Sequence, residues 1–340
     1  MKIMLIIPSL TQGGAEKNFL QLANSLNEKH NLSFVTLTNK KNLQSIRLNK
    51  NINLKNLNKD NAKKSFYQLR RLIKKESPDL IISTIINASF ITALVLKSFK
   101  NSTKHIVRIS NDINYIKKSS FVNNIMFNFV SKFSNKIILL SDQNIELVKS
   151  RYPAIYKKCQ KIENPIFSNN NVDISSSNKI ICITRMEKHK NNEFLIDNII
   201  SISQSFQVSI DLYGDGSDLK MLIKKYKNYE FVNFYGFVPL ENIKISDYKI
   251  FINCSKFEGS PNSTIEAITS GLLVLIADNL KYTLPSSIQN LSTTYGRDNS
   301  ESFQENLITL LEQTSNLEIE VSPTLDKNIN LWESVIHEVN

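Results

Sequence analysis

Short apolar runs of strand length alternate with helix-length amphipathic segments along most of the chain. Residues 2–8 are almost continuously apolar, residues 13–16 form a glycine-containing turn, and residues 18–27 carry apolar side chains at helical spacing. A buried parallel strand followed by a covering helix produces this pattern. The repeated alternation predicts an α/β protein with doubly wound parallel sheets. Further strands are predicted at residues 32–38, 80–86, 105–109, 136–140, 179–184, 207–213, 232–235, 250–253 and 272–276.

The alternation is interrupted once, near Asn164-Pro165, and a polar Ser/Asn-rich stretch without periodicity follows. A chain of 340 residues is long enough for two globular domains. We therefore predict an N-terminal Rossmann-like domain at residues 1–167, a linker at 168–178 and a second Rossmann-like domain at 179–322. Residues 323–340 are predicted to contain a final helix that follows a proline.

Cysteine content and the length of the apolar runs exclude several classes of protein. The 3 cysteines are odd in number and widely spaced, without a Cys-x-x-Cys pair. This argues against a disulfide framework or a zinc site. The longest apolar runs, such as residues 90–96, fall well short of the roughly 18 residues of a membrane-spanning helix. Residues 1–7 show no signal-peptide cleavage pattern, and we expect a cytoplasmic protein.

Positive charge is concentrated in the first half of the chain. The formal net charge is +11, but residues 1–168 contain 28 Lys and Arg against 9 Asp and Glu, and residues 169–340 contain 14 against 22. A basic domain of this kind indicates an anionic partner, and nucleic acid, a membrane surface and a phosphorylated lipid are the candidates. The alternative is a Lys-rich surface that contacts only solvent.

A second candidate for membrane contact is the segment between residues 117 and 133, where apolar residues recur at helical spacing. Lys117, Lys118 and Lys132 lie close to it in the sequence. In a basic domain such a helix can lie on an anionic bilayer. The alternative is a helix that packs on the core of the sheet. The apolar face consists of Phe121, Val122, Ile125, Met126, Phe129, Val130 and Phe133.

The residues that most specifically indicate chemistry lie between Ser255 and Ala267. Glu258 and Glu266 are eight residues apart, on either side of a Gly-Ser-Pro-Asn turn that is predicted to lead from a strand into a helix. Free backbone N–H groups at residues 259–263 and the helix dipole would favour a phosphate, and each carboxylate can accept hydrogen bonds from sugar hydroxyls. Helix capping is the structural alternative for the two glutamates.

Residues 251–275 resemble the E-x7-E signature of the retaining glycosyltransferases of family 4, also called group 1. Three further segments resemble this family and occur in its order. Residues 13–17 are similar to its N-terminal glycine turn, 185–191 to its Arg-Leu-x-x-x-Lys-Gly/Asn segment, and 213–217 with 235–238 to its two later glycine turns. The resemblance implies the GT-B fold, in which two Rossmann-like doubly wound domains face each other across a cleft and the final helix returns to the first domain.

The resemblance also implies roles for individual residues. Arg185 and Lys190 would hold the diphosphate of a nucleotide sugar, because paired cations make charge-assisted hydrogen bonds to it and neutralise the leaving group. Glu258 would bind hydroxyls of the donor sugar and complete the catalytic set with these two cations, and Glu266 would bind the ribose. The other implied donor-binding residues are Gly13, Gly14, Gly214, Gly236, Phe237, Val238, Gly259, Ser260, Pro261, Asn262 and Ser263. For Gly214 an ordinary turn is the alternative.

The chain departs from the family pattern at two places. Many members have a histidine at the end of the strand predicted at residues 105–109, where this chain has Arg108 and, shortly after it, Asn111. These two residues become the acceptor-side candidates. Residues 271–274 lack the proline that usually precedes the valine in the family, which leaves the donor-sugar contacts in that loop undefined.

The sequence contains no Asp-x-Asp motif, so it lacks the metal ligands with which the other large transferase fold clamps a diphosphate. We expect catalysis without a metal or another cofactor. Because the family retains the anomeric configuration, the acceptor hydroxyl would attack from the same face as the departing phosphate.

Together these features predict an enzyme that moves a hexose or N-acetylhexosamine from a nucleotide sugar, UDP-linked, to a lipid-carried saccharide. The product would be a bacterial surface glycan such as O-antigen, capsule or lipopolysaccharide. The expected location is the cytoplasm, peripheral to the anionic inner face of the membrane, without a nucleic-acid partner. Two alternatives remain: a nucleotide-sugar 2-epimerase on the same fold, and a non-catalytic basic protein that binds membranes or nucleic acid.

Overall fold

The computed structural model describes residues 1–11, 13–39, 47–113, 116, 120–166, 177–313 and 325–339. These residues divide into two compact units. Unit 1 contains the described parts of Met1–Pro165 and Leu325–Asn340, and unit 2 contains those of Ile166–Thr324. The predicted linker at 168–178 lies outside the described residues except for Ser177 and Asn178, so its bounds stay a prediction.

Unit 1 is built on a sheet of seven parallel strands in the order β3-β2-β1-β4-β5-β6-β7. All five strands predicted in this half are present, with ends within two residues of the prediction. The two edge strands, β3 and β7, were not predicted, because their sequences are polar and only partly buried. The strands are β1 (Lys2–Ile7), β2 (Asn31–Thr38), β3 (Asn53–Lys59), β4 (Leu80–Thr84), β5 (Lys104–Ile109), β6 (Lys136–Leu139) and β7 (Cys159–Lys161).

Helices cover both faces of this sheet because its central strands are apolar on both sides. Ile3 and Leu5 of β1 pack with the first and last helices, and Met4 between them packs on the opposite face with the second and third helices. Trp332 of the last helix is buried in the core of unit 1. The helices are α1 (Gly14–Leu26), α2 (Phe66–Glu76), α3 (Ile86–Lys97), α4 (Phe121–Phe133), α5 (Asp142–Arg151), α6 (Pro153–Tyr156) and, at the end of the chain, α11 (Leu325–Val339).

The apolar face that the sequence predicted for α4 is partly buried and partly exposed. Its second half packs on the core through Met126, Phe127 and Val130. Its first turns leave three apolar side chains in solvent, and the first of them, Phe121, is 78% exposed; the three are Phe121, Val122 and Ile125. The core alternative therefore holds for the second half of α4, and membrane contact of its exposed first turns stays a prediction. The predicted flanking Lys117 and Lys118 lie outside the described residues.

Unit 2 contains a sheet of six parallel strands in the order β10-β9-β8-β11-β12-β13. The five predicted strands are present, and the short edge strand β13 was not predicted. The strands are β8 (Lys179–Ile183), β9 (Ser209–Tyr213), β10 (Val232–Gly236), β11 (Ile250–Asn253), β12 (Leu273–Ala277) and β13 (Thr293–Tyr295), and the helices are α7 (Asn192–Ser203), α8 (Leu219–Tyr226), α9 (Asn262–Thr269) and α10 (Ser300–Glu312).

In both sheets the loops that leave the carboxyl ends of the strands gather at one edge, which is where open α/β sheets bind ligands. Within the part of the chain that the structure describes, none of the helices combines the length and the hydrophobicity that a membrane crossing requires.

His105 lies at the opposite edge of the unit 1 sheet, near the start of β5, and is buried. Its Nε2 lies 2.8 Å from the Ser83 hydroxyl oxygen, and the Ser83 hydroxyl donates to Ser89 at 2.9 Å. Burial lowers the pKa of His105 to about 3. The ring is therefore a neutral core residue at physiological pH.

Acid should destabilise the protein through His105. Because its pKa is lower in the folded chain than in the unfolded chain, the stabilisation is complete above the unfolded value of 6.5 and is lost as the pH falls from there towards about 3. The loss amounts to about 1.4 kcal/mol per pH unit for one proton. Urea unfolding at pH 7 and pH 5 should show a smaller acid-induced loss for His105→Gln than for the wild type. The exposed His337→Gln is the control, and an equal loss in all three proteins would contradict the prediction.

Candidate donor-binding site

The glutamate motif spans a strand end, a loop and a helix start, as the sequence predicted. Strand β11 ends at Asn253, the loop carries Glu258, and α9 begins at Asn262 directly after the buried Pro261. Glu266 lies one helical turn inside α9 and is half-buried. Backbone N–H groups in the first turn of a helix lack partners within the helix and attract anions, so the loop and helix start can bind a phosphate.

Lys190 and Glu258 form the central contact of the candidate site. The Lys190 Nζ lies 2.5 Å from Oε1 of Glu258, and the two side chains are only 10% and 17% exposed. Lys190 is the last residue of a short helical turn, Lys188–Lys190, that follows β8, whereas Glu258 follows β11. These strands are neighbours in the sheet. The structure thus places two residues in contact that, by the family resemblance, would bind the diphosphate and the sugar of the donor.

Arg185 lies on the same loop as Lys190 but points into solvent. Its side chain is 67% exposed, and Nη1 lies 3.0 Å from a carboxylate oxygen of Glu187. The backbone N–H of Met186 donates to the carbonyl of Asp215 at 3.0 Å, which fixes the loop against the glycine turn after β9. The described contacts hold the guanidinium to Glu187 and not to the Lys190–Glu258 pair.

The two glycine turns after β9 and β10 are joined to each other. The Gly214 N–H donates to the carbonyl of Gly236 at 2.7 Å. Gly214 has a φ of +135°, and a Cβ atom there would collide with the backbone carbonyl of Thr184. A glycine is therefore required at this turn for packing, which favours the turn alternative of the sequence analysis. Exposed Phe237 and half-buried Val238 follow Gly236.

Beside these turns lies an aromatic network that the sequence analysis missed. The rings of Tyr213 and exposed Tyr235 stack with centroids 4.8 Å apart and planes 11° apart. The Tyr213 and Tyr248 hydroxyls lie 2.8 Å apart, and the Tyr248 hydroxyl donates to buried Asp211 at 2.7 Å. Burial and these two hydrogen-bonded neighbours raise the pKa of Tyr248 well above its ordinary value, so the hydroxyl stays protonated as a donor. Only the fold brings these residues together.

A second missed contact fixes the end of the Lys190 loop. Asn191 has a φ of +58°, in the left-handed region, and its side-chain amide donates to Asp298 at 3.0 Å. Asp298, in the loop after β13, also has a φ of +58°. Asparagine and aspartate tolerate this conformation better than most residues. The family segment allows glycine or asparagine at the position of Asn191, and the left-handed backbone gives a physical reason.

In unit 1, the predicted glycine turn leads directly into α1. Gly13 precedes the helix and Gly14 is its first residue. The Glu16 carboxylate folds back so closely that a Cβ atom on Gly13 would collide with it, and it accepts a hydrogen bond from the Thr11 hydroxyl at 2.8 Å. At the same edge, after β4, Ile85 has a φ of +66°, which is rare for a β-branched residue.

The structure distinguishes the two acceptor-side candidates. Arg108 is buried, and its guanidinium donates to Asn164 at 2.7 Å. Burial lowers the pKa of Arg108 to about 10, against the opposing effect of the Glu16 charge. Arg108 therefore holds the segment before Pro165 in place, and little of its side chain is accessible to an acceptor. Asn111 is exposed, and it remains the accessible candidate.

Comparison with known proteins finds similarity to glycosyltransferases. Residues 177–313, all within unit 2, match the family model of Glycosyl transferases group 1. A GalNAc-α-(1→4)-GalNAc-α-(1→3)-diNAcBac-PP-undecaprenol α-1,4-N-acetyl-D-galactosaminyltransferase of Campylobacter jejuni is 27% identical over 288 residues, which cover 79% of this chain and 77% of that protein. An uncharacterized glycosyltransferase of Methanocaldococcus jannaschii is 26% identical over 242 residues, covering 63% of this chain and 59% of that protein.

Solved structures show the same fold. The lipopolysaccharide outer core galactosyltransferase WaaB in its apo form has a TM-score of 0.70 at 14% identity and covers 99% of both chains. Anabaena Alr3699/HepE in complex with UDP and glucose has a TM-score of 0.73 at 17% identity, covering 98% of this chain and 95% of that one.

The two parallel-sheet units and these structural matches identify the GT-B fold. With the family match in unit 2 and the similarity to a curated galactosaminyltransferase, they support a glycosyltransferase whose unit 2 is similar to group 1. The epimerase and non-catalytic alternatives of the sequence analysis give way to this assignment.

Removal of one member of the central ion pair should destabilise the fold. Glu258→Gln leaves a nearly buried ammonium without its counter-charge, so we expect the free energy of unfolding to fall by about 1–3 kcal/mol. Arg185→Met is the matched control on the same loop, and its exposed pair should cost less than about 1 kcal/mol. Urea unfolding at neutral pH measures both. Equal effects would show that the Lys190–Glu258 contact is no stronger than a surface pair.

Proposed function

We propose that this chain transfers a hexose or N-acetylhexosamine from a UDP-sugar to a lipid-carried saccharide, with retention of configuration and without a metal. The observation that carries the proposal is the 2.5 Å contact between Lys190 and Glu258. It supports a site in which a phosphate-binding cation lies next to a carboxylate that accepts hydrogen bonds from sugar hydroxyls.

The donor would bind across the carboxyl edge of the unit 2 sheet. Lys190 and the backbone N–H groups at residues 259–263 would neutralise the diphosphate, and Arg185 would join them by exchanging Glu187 for a phosphate oxygen. Glu266 would accept hydrogen bonds from the ribose, and backbone groups at residues 236–238 would contact the base. HepE, whose fold is similar, was solved in complex with UDP and glucose, which favours UDP as the nucleotide.

In the proposed reaction, the bond between the sugar anomeric carbon and the phosphate oxygen breaks while a bond to the acceptor oxygen forms on the same face. The acceptor proton passes to the departing diphosphate. Preorganised positive charge stabilises the leaving group in the transition state, and Lys190 with Arg185 would supply that charge.

The acceptor would be a saccharide on a lipid diphosphate, like the undecaprenol-linked saccharide on which the Campylobacter jejuni relative acts. The product would be a bacterial surface glycan. Unit 1 would carry the acceptor, with Asn111 at the accessible carboxyl edge of its sheet.

We also propose that unit 1 lies on the anionic inner face of the cytoplasmic membrane. Phe121, Val122 and Ile125 are exposed at the start of α4, and the sequence from residue 80 to residue 141 contains a single acidic residue, Asp112, which is buried. Exposed apolar side chains in a cationic surface are the combination that anionic bilayers attract.

The donor assignment predicts the effect of single substitutions on UDP binding. In EDTA-containing buffer, isothermal titration calorimetry should show UDP binding to the wild type, and Lys190→Ala should weaken it at least about tenfold, because a charge-assisted contact is worth about 1.5–3 kcal/mol. With donor and acceptor present, kcat/KM should fall by about 100-fold or more. The exposed neighbour Lys188→Ala is the control. Unchanged affinity in Lys190→Ala would refute the diphosphate assignment, and binding that requires a divalent metal would refute metal independence.

The membrane proposal predicts salt-sensitive binding to vesicles. The protein should float with liposomes that contain phosphatidylglycerol, and flotation should decrease when NaCl is raised from 0.05 to 0.5 M, since the Debye length falls from above about 10 Å to below about 8 Å. Replacement of Phe121, Val122 and Ile125 by serine should abolish it. Serine at exposed Met221 and Ile223 of unit 2 is the matched control. A wild-type protein that never floats would eliminate this proposal.

A further inference from the structure

An aromatic stack joins the loop after β8 to the loop after β11, directly beside the Lys190–Glu258 pair. The His189 and Phe257 rings have centroids 4.9 Å apart and planes 8° apart. The backbone N–H of Lys256 donates to the carbonyl of His189 at 2.8 Å. Each ring thus precedes one member of the ion pair by one residue. Three consecutive residues, 256–258, therefore join the two loops through a backbone hydrogen bond, a ring contact and an ion pair.

A third loop contacts the loop after β11. The side-chain amide of Asn279, which follows β12, donates to the carbonyl of Lys256 at 3.0 Å. Strands β8, β11 and β12 are consecutive in the sheet. Contacts therefore join the loops at the carboxyl ends of three neighbouring strands. The stack joins the first two of these loops.

Two contacts involve the His189 ring: the stack on Phe257, and a 3.4 Å distance from Nδ1 to a Glu187 carboxylate oxygen. Burial, followed by the charge of Lys190, lowers the pKa of His189. The neutral imidazole therefore predominates at physiological pH and adds no further positive charge beside Lys190 and Arg185. A neutral ring parallel to Phe257 contributes mainly by surface contact and ring geometry, and another aromatic residue can reproduce that contribution.

We propose that the His189–Phe257 stack presets the positions of Lys190 and Glu258 for the donor diphosphate, so that His189 is a positioning residue. Without the stack, only the backbone bond from Lys256 and the ion pair would join the two loops, and the ion pair would also have to release Lys190 to the phosphate. With it, the loops keep their spacing when Lys190 changes partner. The inference rests on the proposed donor function of Lys190.

The test compares UDP affinity in wild type, His189→Ala and His189→Phe by isothermal titration calorimetry, with thermal unfolding to verify that each variant is folded. His189→Ala should weaken UDP binding about tenfold, because loss of positioning is costly even away from the bound atoms. His189→Phe keeps the stack and should stay within about twofold of the wild type. Lys188→Ala, an exposed change on the same loop, is the control. Phe257→Ala removes the stack from the other loop and should match His189→Ala, so it decides the question if His189→Ala does not fold.

The outcomes separate the inference from the proposed function. If the wild type binds none of UDP, GDP and ADP, the donor function fails and the inference fails with it. If the wild type binds UDP and both alanine variants bind it equally well, the inference alone is wrong. Equal losses in His189→Ala and His189→Phe would also overturn it, because the imidazole itself and not the stack would then be required.

Discussion

The parallel pairing of β8 with β11 is the constraint on which the candidate site depends. Ile180 and Ile250 are register partners in these strands, and both strands end at the same edge of the sheet. The residues that follow them, Lys190 and Glu258, are 68 positions apart in the chain and nevertheless lie in contact. A parallel sheet collects side chains from distant segments at its carboxyl edge, and in unit 2 it collects a cation, a carboxylate and a helix start.

Several residues at the same edge have positive φ angles. Positive φ angles occur at Gly214, Asn191 and Asp298 in unit 2 and at Ile85 in unit 1, all in loops that follow strands. Strained backbone of this kind persists only where surrounding contacts hold it. Here those contacts include the bond from Gly214 to Gly236 and the amide of Asn191 on Asp298. The loops are thus fixed before any ligand arrives, which lowers the ordering cost of binding.

Much of the fold could be predicted because its signal is local. The ten predicted strands have largely apolar sequences, and each was found with ends within two residues of its predicted ends. The edge strands β3, β7 and β13 are short or polar, so they carry no such signal. Helix α4 shows a different limit: its apolar spacing is real, but whether Phe121 or Met126 meets solvent depends on neighbouring helices. Arg108 was an acceptor-side candidate, but the fold buries it and bonds its guanidinium to Asn164, which no local pattern indicated.

The sequence by itself determined the two α/β halves, the opposite charges of those halves and the identity of the residues in the glutamate motif, because periodicity, composition and short spacings are properties of neighbouring residues. The tertiary structure alone decided which of those residues meet. It paired Lys190 with Glu258, left Arg185 with Glu187, stacked His189 on Phe257 and buried Arg108. Contacts of this kind depend on strand order and loop path, which are set by packing over the whole sheet and not by any local stretch of sequence.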